Sequence, residues 1–498
     1  MATAVREPDT GVGNDPLWGI EQNGINPIPD SERHGSPLEL FWIWFAANIS
    51  VLAIVYGAII VSYGMSLWQG ILAAFVGTWV SFLLVGFVSL AGKRGGAPTL
   101  VLSRAPFGVF GNVFPNLASY FSLVGWETVL VALSALAVEA LFKRLGWAVG
   151  HGTTAVSFIL IAALVIAIGL LGHATIVRIQ TWFTWAFTAL TVVFVILEIP
   201  KINGNTVTAM HTGSWTNAWL PATSIMMAAL GLGWVNAASD YSRYLPRNVS
   251  SRSVVGWTTV GASFAPFLLI VFGILLWAKN ASTLANSSNP IGDLSANLPT
   301  WFLIPYLIVA VGGLVAGAVL DIYSSGLNLL TLGLRLPRYQ SVAIDGTIMI
   351  IGNIYILFIA SSFIGPFQAF LSVLGVLLTA WVAVFLVDMV MFRQQGYQDS
   401  DLYNFRGGSY YYQGGFNLTA IVAWFVAVIV GFGLIQTTVS WLTWLGWWAR
   451  GPFAGSSLGI LVAFVVAAGL YWLLSLIPIP STAQPSASRG TSPSSGSE

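Results

Sequence analysis

Runs of about 20 apolar residues recur from Phe41 to Ile477, and a run of that length crosses a bilayer core of about 30 Å as one helix. No other feature constrains this chain as strongly, because backbone polar groups in lipid must be satisfied within the segment that carries them. Charged residues make up only 7% of the chain and hydrophobic ones 56%, against about 25% charged in a soluble domain. The chain is therefore a polytopic helical membrane protein. Reading the apolar runs between breakers gives about twelve spans, near 41–64, 68–91, 114–142, 153–172, 177–199, 220–239, 254–278, 303–334, 341–362, 366–391, 417–437 and 455–478.

The flanks read differently. Residues 1–40 are polar, with Pro, Gly and Glu where a leader would carry its apolar region, and are expected to form a solvated tail. Residues 479–498 are Ser-, Pro- and Gly-rich and are expected to be disordered. Orientation follows the distribution of Lys and Arg. With the N-terminus inside, the inner segments collect 14 of these residues and the outer segments hold 5, namely Lys143, Arg144, Lys201, Lys279 and Arg450. Both termini are thus expected in the cytoplasm, in a plasma or bacterial inner membrane.

Composition excludes several chemistries. With no cysteine there is no disulfide, thiolate metal site or thiol catalysis, and the four histidines lie in tails, loops or span ends. No metal or organic cofactor is expected. A net charge of +1 and short basic loops without aromatic platforms argue against nucleic acid as a partner. HExxH, GxSxG and GxxxxGK[ST] are absent, so neither an enzyme nor an ATP-driven pump is indicated.

Carboxylates inside spans stand out, because a mid-span charge costs about 2.5–3.5 kcal/mol on insertion scales and usually faces a cavity or ion path. Glu127 lies in the third span and Asp321 in the eighth. Gly313, Gly317, Asp321, Ser324 and Asn328 follow one another at helical spacing and share a face. A packing seam explains the two glycines but not the three polar residues, so the stripe reads as a pathway wall. In the third span Ser119, Ser122 and Trp126 form a second stripe, with Glu127 about 100° further round. A mid-span indole is either packing or a flat stacking surface.

Two spans carry interruptions: Asn48 and Ser50 in the first, Gly231 and Gly233 in the sixth. Glycine disfavours helix continuation and admits a ligand close to backbone, so the sixth is expected to unwind at its glycines. Dividing the first ten spans five and five puts an interruption in the first helix of each half and a carboxylate in the third. Paired broken helices with a midplane site are the pattern of secondary transporters built from inverted repeats. The expected fold is all-α, with a first repeat over 41–199, a second over 220–391 and two additional spans over 417–478.

GIEQNGINPIP (19–29), APTLVLSRAPFGVFGNVFPNL (97–117), LVGW (123–126), GWVNAASDYSRYLPRN (233–248), DIYSSGL (321–327) and YNFRGGSYYYQGGFN (403–417) together resemble the purine–cytosine permease group of the nucleobase–cation symporter family. The resemblance implies the five-plus-five inverted-repeat fold of the leucine-transporter type, and uptake of a planar ring by alternating access. It implies that Trp126 of span 3 and Trp234 of span 6 sandwich that ring. Asn48, Ser50, Glu127, Asp321 and backbone groups at Gly231 and Gly233 are then the candidates for polar contacts to its edge.

Two departures bear on coupling. Sodium-coupled relatives place hydroxyls on span 8 where this chain has Val315 to Val319, a stretch with no side-chain oxygen, and a hard cation needs several oxygen ligands. Fungal-type members have Asn where this chain has Asp321. A carboxyl group can load and release a proton, so the coupling ion is expected to be a proton, carried by Asp321 or Glu127, rather than sodium. Asp240, Arg243 and Arg104 are candidates for an intracellular ion-pair gate, with helix capping and topology signalling as the competing reading. Tyr410, Tyr411 and Tyr412 read as interfacial anchors. The substrate expectation is cytosine or a purine. Uracil, allantoin, hydantoin or a thiamine-like ring, a sodium-coupled carrier and a passive facilitator are the alternatives. The expected partners are the nucleobase and the lipid bilayer, with the chain acting as a monomer.

Overall fold

The computed structural model describes residues 24–170, 173–278, 287–296, 298–334, 336–437, 439–451 and 454–477. Most of the two expected tails lies outside them. Among the described residues the chain is all-helical apart from one isolated bridge between Gln413 and Phe416. Among the described residues nine helices are long and apolar enough to cross a membrane, and the pair Pro37–Asn48 and Val51–Ser62, bent by 65°, makes a tenth if taken as one span. Two shorter apolar helices, Leu418–Gly433 and Gly459–Ser475, follow. In chain order we call these spans 1 to 12. Those used below are span 2 (Leu67–Gly95), span 3 (Val113–Arg144), span 6 (Trp215–Ser242), span 7 (Ser251–Trp277), span 8 (Thr300–Thr331), span 9 (Tyr339–Ile359) and span 10 (Ile364–Met391).

Burial sorts them. The apolar stretch of span 6 is 83% buried and that of span 3 78%, whereas span 9 reaches only 28%. Spans 3 and 8 pack along each other, span 7 crosses both halves of span 1, and spans 11 and 12 pack together against span 10. The crossing of spans 1 and 7 is backbone on backbone. A Cβ on Gly57 would lie 2.5 Å from the carbonyl carbon of Gly273, so only a glycine pair lets these helices approach so closely.

The break in span 1 follows from its two polar residues. Ile49 and Ser50 are extended, and the Ser50 hydroxyl accepts from the Leu52 N–H at 3.2 Å, capping the second half. Asn48 closes the first half by donating from Nδ2 to the Trp44 carbonyl at 2.9 Å. Span 6 breaks at Leu230 (φ −114°, ψ −108°), one residue before the glycines expected to unwind it. The Gly231 N–H donates to the Ser81 hydroxyl at 3.0 Å, and a Cβ on Gly231 would overlap the Ser81 backbone. The glycine therefore serves close packing on span 2, and the kink falls where that hydrogen bond redirects the chain.

At one end of the bundle an arginine-rich layer ties the loops together. Arg104, 1% exposed, donates to the carbonyls of Leu402 (2.9 Å) and Thr331 (2.8 Å), and its guanidinium lies 5.0 Å from the Phe405 ring centre. Burial lowers its pKa to about 10, which leaves it charged at neutral pH. Arg247 pairs with Asp30 at 2.9 Å and Asp399 at 2.8 Å. Tyr410 and Tyr412 of the tyrosine run are tied into this layer. Tyr410 is buried and accepts from the Gln398 N–H at 3.0 Å, while the Tyr412 hydroxyl donates to the Ala105 carbonyl at 2.6 Å. The segment before span 11 folds back on the span 2–3 connection, which its aromatic composition alone does not disclose.

Candidate functional site

The two helix breaks meet. A cavity of about 60 Å³ is lined by Asn48, Ile49 and Ser50 from the first break and by Ala229, Leu230 and Trp234 from the second. Trp126 and Leu130 of span 3, Gly313, Gly317 and Asp321 of span 8, Tyr56 of span 1 and Pro266 of span 7 complete the wall.

The aromatic members are held from behind. Trp234 meets the fully buried Trp44 edge-on, at 5.6 Å and 82°. Trp126 meets Phe367 and Phe370 of span 10 edge-on, both at 5.8 Å, and Phe367 stacks on Tyr56 at 6.2 Å and 6°. Such contacts orient rings beyond what area burial does, by about 0.5–1.5 kcal/mol each. Gly233 does not line the cavity but makes room for the indole: a Cβ there would lie 2.8 Å from Trp126 Nε1. Its own N–H donates to the Leu230 carbonyl at 3.0 Å. Neither glycine of span 6 thus offers a free backbone donor to a ligand.

Polar groups are few. Asn48 spends Nδ2 on Trp44, which leaves its Oδ1 for a ligand. Asp321 is 2% exposed, lines the cavity, and has its Oδ2 buried with no hydrogen-bond partner. It is the only charged residue in the lining. Gly313 and Gly317 share its stripe: a Cβ on Gly313 would meet open space, and one on Gly317 would touch Leu130 at 3.0 Å. The rest of the stripe leaves the cavity. Asn328 donates from Nδ2 to the Ser119 hydroxyl at 2.7 Å, and Asn236 of span 6 donates to the same oxygen at 2.8 Å. Ser119, placed on the span 3 stripe, thus joins spans 3, 6 and 8.

Glu127 stands apart from the cavity lining. It is fully buried, and neither carboxylate oxygen has a hydrogen-bond partner. Its helical offset from Trp126 turns it away from the lining.

The three gate candidates each hold a different part of the structure. Asp240 accepts from the Thr99 N–H (2.8 Å) and hydroxyl (2.9 Å), capping the short helix after span 2. Arg243 donates to the Gly24 carbonyl at 2.8 Å and to the Tyr323 hydroxyl at 3.3 Å, and Arg104 holds the loop carbonyls described above. Thr99 takes only Oδ1 of Asp240, and the charge of Arg243 also bears on that carboxylate, so the capping contact leaves the gate reading of Asp240 standing beside it.

Tyr56, Leu130 and Pro266 are absent from the sequence-derived set. Leu130 lies one turn beyond Trp126, so helical spacing points to it, whereas Tyr56, six residues after Ser50, is not on such a face. Pro266, inside span 7, carries no comparable signal.

A family profile described as permeases for cytosine/purines, uracil, thiamine and allantoin matches residues 27–473. YxlA of Bacillus subtilis strain 168, which carries the name of a purine–cytosine permease, is 26% identical over 471 residues, covering 91% of this chain and 96% of its own. The hydantoin permease of Microbacterium maritypicum is 22% identical over 422 residues, covering 82% and 83%. Among solved structures, Mhp1, a nucleobase-cation-symport-1 family transporter in a closed conformation with bromovinylhydantoin bound, superposes with a TM-score of 0.69 at 19% identity, over 93% of this chain and 98% of that one. The last likeness establishes the fold, and the profile match over most of the chain establishes that this protein belongs to the family of permeases for cytosine/purines, uracil, thiamine and allantoin.

Proposed function

We propose that this permease is a secondary active transporter that imports a purine or cytosine nucleobase with a proton, by alternating access. One observation carries the reading: an aromatic-walled cavity sits where two broken helices meet, and its single charged lining residue is Asp321. Trp126 and Trp234 supply flat apolar faces suited to a planar ring. Asn48 and Asp321 supply the polar edge, and a carboxyl group favours a ring with an amino substituent, such as cytosine or adenine, over uracil. The paired breaks support a five-plus-five inverted repeat as the moving frame. The Lys and Arg distribution supports cytoplasmic termini, which puts the arginine-rich layer on the cytoplasmic side.

A proton is favoured over sodium because Val315 to Val319 offer no side-chain oxygen. A second reading, transport of a hydantoin-type ring, draws support from the relative named a hydantoin permease.

Labelled cytosine uptake into proteoliposomes under an imposed proton gradient, with a sodium gradient as the comparison arm, tests the proposal. Proton-driven accumulation blocked by adenine or hypoxanthine supports it. Accumulation driven by sodium alone overturns the coupling, and competition by hydantoins but not by nucleobases overturns the substrate.

A further inference from the structure

Span 9 carries an ionisable residue that the cavity does not use. Asp345 is buried, accepts from the Tyr120 hydroxyl of span 3 at 2.6 Å on Oδ1, and accepts from the Ser325 hydroxyl of span 8 at 2.7 Å on Oδ2. Hydrogen bonds of this length to a carboxylate are the strong, charge-assisted kind. Two turns along span 3 from Tyr120 lies Glu127, fully buried with both oxygens unpartnered. Asp321 and Asp345 are the two carboxylates whose charges bear on it.

The titratable groups facing this cluster are Tyr120 and Glu127 on span 3, Tyr241 on span 6, Asp321 on span 8 and Asp345 on span 9. None is cationic. Three carboxylates without a counter-charge cannot all be ionised in a dry interior, so protons must be shared among them. The structure separates their surroundings. Asp345 has two donors that support its charged form, Glu127 has none, and Asp321 opens on the cavity.

Asp321 and Asp345 also differ in depth. The Thr331 carbonyl at the end of span 8 binds Arg104 of the arginine-rich layer. At 1.5 Å per residue, Ser325 lies about 9 Å and Asp321 about 15 Å along the helix from that end. Asp345 thus stands between the cavity and the arginine-rich face.

We propose that Asp345 is the release station of the coupling proton, reached from Asp321 along span 8, where Ser325, one turn further on, hydrogen-bonds it. The proton leaves the Asp321 carboxyl for a water molecule, is carried by water past Ser325 and passes to the Asp345 carboxylate; at each step one O–H bond breaks and one forms. Tyr120 and Ser325 position the acceptor. This rests on the proton-symport reading above and adds to it a route and a residue outside the substrate cavity.

The test compares wild type with Asp345→Asn in proteoliposomes, by two readouts. Accumulation of labelled cytosine under a proton gradient reports coupling, and exchange of internal for external cytosine without a gradient reports binding and alternation. Asp345→Asn is expected to keep exchange and to lose accumulation, so that internal and external concentrations become equal. Full accumulation by Asp345→Asn, with wild type proton-driven, overturns the release station while sparing proton symport. No proton-driven accumulation by wild type overturns both.

If Asp345→Asn loses exchange as well, Tyr120→Phe decides. Removing one donor to the charged form is expected to move the pH of half-maximal uptake upward with exchange intact. An unmoved profile overturns the proposal.

Discussion

Replacing Gly233 with alanine tests the aromatic wall most directly, because the structure says what the added methyl meets. The new Cβ would lie 2.8 Å from Trp126 Nε1 and 3.3 Å from the Ala228 carbonyl oxygen. Ordinary contact begins near 3.4 Å, so the indole must give by about 0.6 Å, and overpacking of this kind costs about 1–3 kcal/mol. The ring has little room to retreat, with Phe367 and Phe370 edge-on behind it. If the substrate stacks on Trp126, that strain falls on the bound state and weakens Kd by about 5- to 150-fold. Cytosine binding to purified protein in detergent, followed by quenching of tryptophan fluorescence, measures it. Gly256→Ala is the matched control: a Cβ there meets nothing within 4 Å, so Kd stays unchanged and the helix gains about 0.5–1 kcal/mol. Wild-type affinity in a folded Gly233→Ala protein would refute the placement of the ring against Trp126.

Asp321→Asn keeps shape and removes the titratable group; proton-driven accumulation and its pH dependence should both disappear, and an unchanged pH profile would strip Asp321 of its role. Trp44→Ala removes the fully buried ring that braces Trp234 and should cost about 3–5 kcal/mol, seen as a large fall in Tm together with weaker substrate binding. Arg104→Ala deletes two charged hydrogen bonds, to Leu402 and Thr331, at about 1.5–3 kcal/mol each; protease accessibility of the segment before span 11 should rise. Ser50→Ala removes the cap of the second half of span 1, with an expected loss of about 1 kcal/mol that a thermal shift assay resolves.

The helix positions were legible because the bilayer imposes one demand, a long apolar run, that is written residue by residue. The break in span 1 was legible for a related reason: Asn48 and Ser50 interrupt the run, and both satisfy local backbone groups. Asp321 and Trp126 stood out as unusual residue types at mid-span, Trp234 entered through the family resemblance, and the structure brings all three to one cavity. Which way each helix turns its faces was not legible. Trp126 and Glu127 are neighbours in sequence, yet one lines the cavity and the other lies outside its lining, because packing of span 3 against spans 8 and 9 sets the rotation. Asp345 was passed over since it lies near the start of span 9, where a carboxylate reads as a loop-side residue. Only the folded chain surrounds it with Tyr120 and Ser325.

Local properties of the chain thus decided the class of protein, the order of its apolar helices and the first of its two breaks, since each depends on the transfer of a short segment into lipid. Tertiary structure decided what those segments share. It moved the second break to Leu230 by the hydrogen bond from Gly231 to Ser81 and turned Asp240 into a cap for Thr99. It also drew Tyr56, Leu130 and Pro266 into the cavity wall. Each of these depends on a partner far away in the sequence, and such a partner is chosen by how helices pack.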